Sequence, residues 1–309
     1  MSHERPSRTA RKIARLVILI DAVPRFAGLL PEGEAALVEA ILHGCGVVRR
    51  REIALMRSPW GRRLYRASEA LTVRGQLVWI GLRKRWVADA VSEAIAAGAT
   101  QLLVVGAGLD PLAAMVARRH PGVTCVEIDA PATAEPKRAG LRAAGAERDN
   151  LHLCAADLST RPLAEALRAT PWRSDARSVV VAEGLLMYLD AAAVRGLFAA
   201  VRGCTGPGSR LAFSSIFADD AGRPRVGGVG VLDWPMRATL RLAGEPMRWG
   251  IRPEAVRAFV EPAGYRVLEQ PDLAALRRRY LAPLGLADEP VAPYEHLVLA
   301  EVAPSAPSA

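Results

Sequence analysis

The sequence predicts an α/β fold: a doubly wound, mostly parallel sheet of seven strands, with a helical N-terminal region before it and an insertion after the fifth strand. Three observations predict it. From Thr100 onward, short apolar runs alternate with stretches of helical periodicity, the pattern of successive βαβ units. The first run, Leu102–Val105, ends in the glycine-spaced turn Gly106-Ala107-Gly108 and leads directly into a helix start. The last two runs, Tyr265–Glu269 and His296–Val302, have no helical crossover of usual length between them, so they read as an antiparallel pair.

Residues 1–10 read as a frayed polar tail. From Thr9 to Ala97 the periodicity is helical, with apolar residues three and four apart in Ala35–Leu42, Glu52–Met56, Leu64–Leu71 and Arg85–Ala97. This defines a helical cap region, residues 1–97. The sheet region, 98–302, reads as strand Leu102–Val105, helix Pro111–Arg119, strand Val123–Glu127, helix Ala132–Ala144, strand Leu151–Ala155, helix Pro162–Ala169, strand Val179–Ala182, helix Ala191–Val201 and strand Arg210–Ser214. Residues 219–250, rich in Gly, Pro, Trp and Arg, form an insertion at the edge where ligands bind such sheets. A helix, Pro253–Glu261, precedes the final strand pair, and residues 303–309 read as a disordered tail.

With 309 residues, 51% hydrophobic and 24% charged, the chain is globular rather than disordered. Net charge is +9, and Lys12, Lys84 and Lys137 are the only lysines. Residues 1–93 hold 17 basic and 9 acidic residues, so the basic excess precedes the glycine turn. Such an excess suits an acidic substrate, an anionic membrane surface or RNA, but also describes a solvated helical face. The four cysteines show no CxxC pairing; Cys125 and Cys154 fall in strands and read as buried thiols of a reducing, cytoplasmic protein. His43-Gly44-Cys45 is too sparse for a metal site, so no metal is expected. The apolar run Leu16–Ile20 is too short for a membrane span.

The candidate chemistry lies at the predicted strand ends. Gly106 and Gly108 leave backbone open to a ligand. Pro111 stands where a dinucleotide-binding loop carries its third glycine, which favours a nucleoside ligand without a pyrophosphate. Asp110 can cap the helix that follows, with Pro111 in its first turn. Glu127 and Asp129 end the second strand, Asp157 the third and Glu183 the fourth. Any one such acid can be a helix cap; three successive strand ends together suit ribose hydroxyls, an adenine and an ammonium group. No histidine is expected at the ligand edge, since His152 begins the third strand and faces the opposite end.

The run Leu82-Arg83, Gly106-Ala107-Gly108-Leu109-Asp110, Glu127-Ile128-Asp129-Ala130-Pro131, Lys137, Asp157-Leu158 and Glu183-Gly184-Leu185-Leu186-Met187-Tyr188-Leu189 resembles the leucine carboxyl methyltransferase family over residues 75–302. The resemblance implies a class I, Rossmann-like methyltransferase fold and S-adenosyl-L-methionine (SAM) as cofactor. It places Arg83 on the SAM carboxylate, Gly106 and Gly108 in the loop, Asp129 (with Glu127 as the other candidate) on the ribose, Asp157 and Leu158 near adenine, and Glu183 near the amino end. It implies an O-methyltransferase, with a small-molecule carboxylic acid as the expected acceptor. A protein or RNA acceptor, or SAM binding without catalysis, are the other readings; oligomeric state is left open. Substrate contacts are expected from Tyr188, Trp234, Trp249 and Arg252, and the last three can equally pack the insertion onto the core. Where many members carry an arginine after the loop, this chain has Leu112-Ala113-Ala114-Met115.

Overall fold

The computed structural model describes residues 6–26, 28–71, 73–225 and 246–303. Four helices come first: α1 (Arg8–Ala22), α2 (Glu34–Gly44), α3 (Arg50–Arg57) and α4 (Pro59–Leu71). The long helix α5 (Gln76–Ala96) leads into the sheet. Its strands are β1 (Gln101–Val105), β2 (Thr124–Asp129), β3 (Leu151–Ala155), β4 (Ser178–Ala182), β5 (Arg210–Ile216), β6 (Tyr265–Glu269) and β7 (Glu295–Val302). Helices α6 (Leu112–Arg119), α7 (Pro131–Ala143), α8 (Leu163–Leu167) and α9 (Ala191–Gly203) connect the first five, and α10 (Val256–Val260) precedes β6.

The seven-stranded order is β3-β2-β1-β4-β5-β7-β6. β1 to β5 pair in parallel, and β7 runs antiparallel to both β5 and β6, as the missing crossover predicts. The strand order reverses between β1 and β4, which opens a crevice at their C-terminal ends. β1 and β4 are buried along their whole length, which is why they read as unbroken apolar runs.

Alternation along the strands divides the core in two. Leu102, Val104, Val179 and Val181 face the helices of the N-terminal region; Leu103, Val105, Val180 and Ala182 face α8, α9 and α10. The N-terminal helices therefore share a core with the sheet: Leu16, Ile20, Val38 and Trp79 belong to the same cluster as the first strand set. α1 packs on α2, α3 and α5, and α2 packs on α7.

Three boundaries differ from expectation. α1 begins at Arg8, because Ser7 Oγ accepts the Ala10 N–H at 3.2 Å, so residues 8–10 are helical rather than frayed. α5 begins at Gln76, behind Gly75 at φ 93°, rather than at Arg85. Its first turns are apolar on every side and buried, so they carry no amphipathic period. α6 begins at Leu112, so Pro111 precedes the helix; Asp110 still caps it, its Oδ1 accepting the Leu112 N–H at 2.8 Å. Cys125, Cys154 and Cys204 are buried free thiols. No helix among the described residues is long and apolar enough to cross a membrane.

Candidate functional site

A cavity of about 560 Å³ opens at the C-terminal ends of β1 and β4, within the size range of small-molecule sites. The β1–α6 turn forms one wall. Gly106 has φ 67°, and a Cβ there would lie 2.9 Å from Leu185; Gly108 has φ 54°, with Ala10 of α1 lying 3.3 Å from where its Cβ would be. Only glycine holds this path without strain, so the turn keeps its backbone against the cavity. Asp129, at the end of β2, fixes the turn: Gly108 N–H donates to Oδ2 and Ala130 N–H to Oδ1, each at 2.7 Å. A carboxylate offers about four acceptor positions, so two remain for ligand hydroxyls. Burial raises the Asp129 pKa against the pull of those two N–H groups.

The floor is a buried charge network. Arg83 Nε donates to Glu183 Oε1 at 2.7 Å, and its Nη1 donates to both Glu295 oxygens at 2.7 and 3.0 Å. Lys84 contacts Glu183 at 2.9 Å and also pairs with Asp110. Burial disfavours the Arg83 charge, but Glu295 and Glu183 outweigh that and raise its pKa. Burial likewise works against the Glu183 anion, yet Lys84 and Arg83 hold it below its ordinary value. Three carboxylates, Asp110, Glu183 and Glu295, face two cations, so the floor suits a ligand that brings positive charge. Glu34 of α2 adds a fourth acid; it is 3% exposed, and its Oε1 has no hydrogen-bond partner.

α1 forms the roof through Arg8, Thr9, Lys12 and Ile13. Tyr188 reaches up to it, its hydroxyl donating to Thr9 Oγ1 at 3.2 Å. The Lys12 side chain is open to the cavity, and the enclosing walls lower its pKa by desolvation.

Comparison with known proteins identifies the architecture. Residues 41–202, more than half of the chain, match the family model for leucine carboxyl methyltransferase. The chain belongs to the leucine carboxyl methyltransferase family. A candidate SAM-dependent methyltransferase of Mycolicibacterium paratuberculosis is 34% identical over 160 residues, 52% of this chain and 47% of that protein. A similarly named protein of Mycobacteroides abscessus is 31% identical over 135 residues, 43% of this chain and 44% of the relative. The matched stretch thus spans about half the length of the curated relatives. Among solved structures, a candidate methyltransferase of Thermobifida fusca superposes with a TM-score of 0.52 at 17% identity, covering 97% of this chain and 96% of that one. The sheet is accordingly the class I methyltransferase sheet, as the strand order requires.

Against the leucine carboxyl methyltransferase motifs, the structure brings Arg83, Gly106, Gly108, Asp129, Glu183 and Tyr188 to one cavity. It does not bring the others there. Glu127 points into the space under α7, where Lys137 Nζ lies 2.6 Å away, and both are buried; the ribose candidate on β2 is therefore Asp129 alone. Asp157 is exposed and turns back to accept the Ser159 N–H at 2.9 Å, while Leu158 packs on the core beneath α8 and α9. Neither lines the cavity, because β3 is the edge strand, two strands from the crevice. Trp249 is a core residue, its ring 5.2 Å from that of Phe259, and Arg252 is exposed, pairing with Asp220 and Glu254 at 3.4 and 3.5 Å. Both correct the expected substrate contacts. Trp234 lies outside the described residues.

Sequence reasoning missed Glu295, Lys84, Lys12 and Glu34. Glu295 had a signal: an antiparallel last strand begins at the edge where the parallel ones end. His296, the next residue, also lies at this edge, contrary to expectation, but alternation turns it away from the cavity against Phe217, 5.2 Å off. The lysines had one too. In a chain whose other 38 basic residues are arginine, two of three lysines line this cavity and the third is the buried Lys137.

Proposed function

We propose that this chain is a SAM-dependent O-methyltransferase that esterifies a carboxylate on a small molecule. The observation that carries the reading is the joining of three elements in one cavity: the glycine turn held by Asp129, the Arg83–Lys84–Glu183–Glu295 floor, and a roof with cations. SAM supplies an electrophilic methyl group on a sulfonium. The residues present fit it. Asp129 has acceptor positions left for a ribose diol, the open backbone of Gly106 and Gly108 admits close approach, and the acid-rich floor matches a ligand with two cationic centres. Arg83 has Nη2 left over after its two carboxylate partners and would meet the SAM carboxylate.

The acceptor side follows from charge. A carboxylate is ionised at neutral pH and needs no general base, which matches a cavity lined by no histidine among the described residues. Lys12, open to the cavity, would hold the acceptor anion, and Tyr188, fixed by Thr9, would set its approach. The protein's work is then alignment of nucleophile and methyl group and exclusion of water.

The test uses methyl-labelled SAM with the purified protein and a panel of small organic acids or a metabolite extract. Label in a product that releases methanol on mild alkaline hydrolysis supports the reading. Label that resists alkali marks an acceptor other than a carboxylate and refutes the carboxylate. SAM binding with no transfer to any fraction refutes the enzyme.

A further inference from the structure

The helices α3 and α4 present an apolar stripe that no other described residue covers. Trp60, Leu64 and Leu71 of α4 are 78%, 68% and 83% exposed, and Leu55 of α3 is 60% exposed. Residues 60, 64, 67 and 71 recur at four, three and four positions, so they lie along one face of the helix, with Ala67 completing the stripe. The opposite face is anchored. Glu69 is buried and accepts the Leu77 N–H at 2.9 Å, Arg62 Nη1 donates to the Ala22 carbonyl at 2.7 Å, and Arg66 stacks 5.5 Å over the Phe26 ring. The outward direction of the stripe is therefore fixed by packing.

The surrounding charge is one-sided. Residues 49–74 contain eight arginines against Glu52 and Glu69. Both acids are engaged, Glu52 with Arg15 and Glu69 with the start of α5. Arg51 lies one helical turn before Leu55, Arg63 adjoins Leu64, and Arg49 and Arg74 flank the pair of helices; these four have no ion-pair partner among the described residues. An exposed apolar stripe with a tryptophan, bordered by unpaired arginines, has the chemistry of a helix lying in a lipid headgroup layer. The apolar side chains enter the acyl boundary, and the guanidinium groups stay with the phosphates.

We propose that the α3–α4 face docks this protein on an anionic membrane surface. A second copy of the chain is the poorer occupant, because two such arginine-rich faces repel. RNA would satisfy the arginines and leave Leu55, Leu64 and Leu71 in water. The face also runs into the cavity wall: Val73 and Gln76, directly after α4, line it. The proposal does not depend on the methyl-transfer reading.

The test is co-sedimentation of the full chain with vesicles of phosphatidylcholine alone and of phosphatidylcholine mixed with phosphatidylglycerol. Binding is expected to the mixed vesicles, weakened by salt and weak on the neutral ones. Two sets of variants separate the contributions, Trp60→Ser/Leu64→Ser/Leu71→Ser and Arg51→Glu/Arg63→Glu. Each should lower the partition coefficient roughly tenfold or more. All five positions are outside the cavity, so circular dichroism and SAM affinity should be unchanged. Absence of binding to phosphatidylglycerol vesicles overturns the proposal, as does wild-type binding by both variants. A wild-type dimer that the serine variant converts to monomer assigns the face to a second copy and overturns it. Salt-sensitive binding to RNA without binding to vesicles overturns it in favour of nucleic acid.

Discussion

The burial of Glu34 sets a pH dependence of folding stability. The side chain is 3% exposed, its Oε1 has no hydrogen-bond partner, and burial raises its pKa from 4.5 to about 7, against the pull of Lys84 and Arg83 and with the push of Glu183. A carboxyl whose pKa is raised in the folded state favours folding fully below pH 4.5 and loses that contribution as pH rises through about 7. Each tenfold change in proton affinity is worth ~1.4 kcal/mol, so the loss is ~3 kcal/mol by pH 8. Glu34→Gln removes the titration and keeps the shape. In urea unfolding of the ligand-free protein, the variant should gain on wild type between pH 4.5 and 8 by about 3 kcal/mol. The readout is this change with pH, so any fixed effect of the amide cancels. Parallel stability profiles for the two proteins would refute the reasoning and mean that the folded protein solvates or pairs the Glu34 anion.

Three further outcomes are expected. His296 is buried with both ring nitrogens unpartnered, and burial lowers its pKa to about 4. Stability must then fall as pH drops from 6.5 towards 4, and His296→Leu should flatten that fall; an unchanged acid limb would contradict it. Arg83→Ala leaves Glu295 buried without its cation and Glu183 with Lys84 alone, and should cost about 3–5 kcal/mol by chemical denaturation, whereas a loss under ~1 kcal/mol would show the network is solvated. Lys12→Ala should raise KM for the acid acceptor with little change in SAM affinity; the reverse pattern would move Lys12 to the cofactor side.

Much of the fold was legible in the sequence because each signal was local. Apolar runs of four or five residues marked the buried parallel strands, and the missing crossover before His296 marked the antiparallel end. The start of α5 was hidden for a physical reason: a helix segment buried on all sides has no polar face to reveal its period. The site was legible where chemistry and strand ends coincide, at Gly106, Gly108, Asp129 and Glu183. It was illegible where contacts join distant segments. Arg83 and Glu295 are 212 positions apart, and Thr9 and Tyr188 are 179 apart. Glu127 misled because alternation alone does not say how far from the crevice a strand residue sits; its partner Lys137 lies ten positions on, in the next helix. The arginine missing after the loop has a structural counterpart: Ala113, Ala114 and Met115 are buried in α6 against the sheet. The cations of the site come from α1 and α5.

The proposed function requires the cavity to be a SAM site built on Asp129. Titration calorimetry of SAM into the purified chain and into Asp129→Ala tests it most directly. Saturable binding at a single site is expected in the wild-type protein, with affinity at least about tenfold weaker in the variant, since hydrogen bonds to a charged group contribute ~1.5–3 kcal/mol. No heat of binding at high micromolar SAM, or equal affinity in the two proteins, would contradict it.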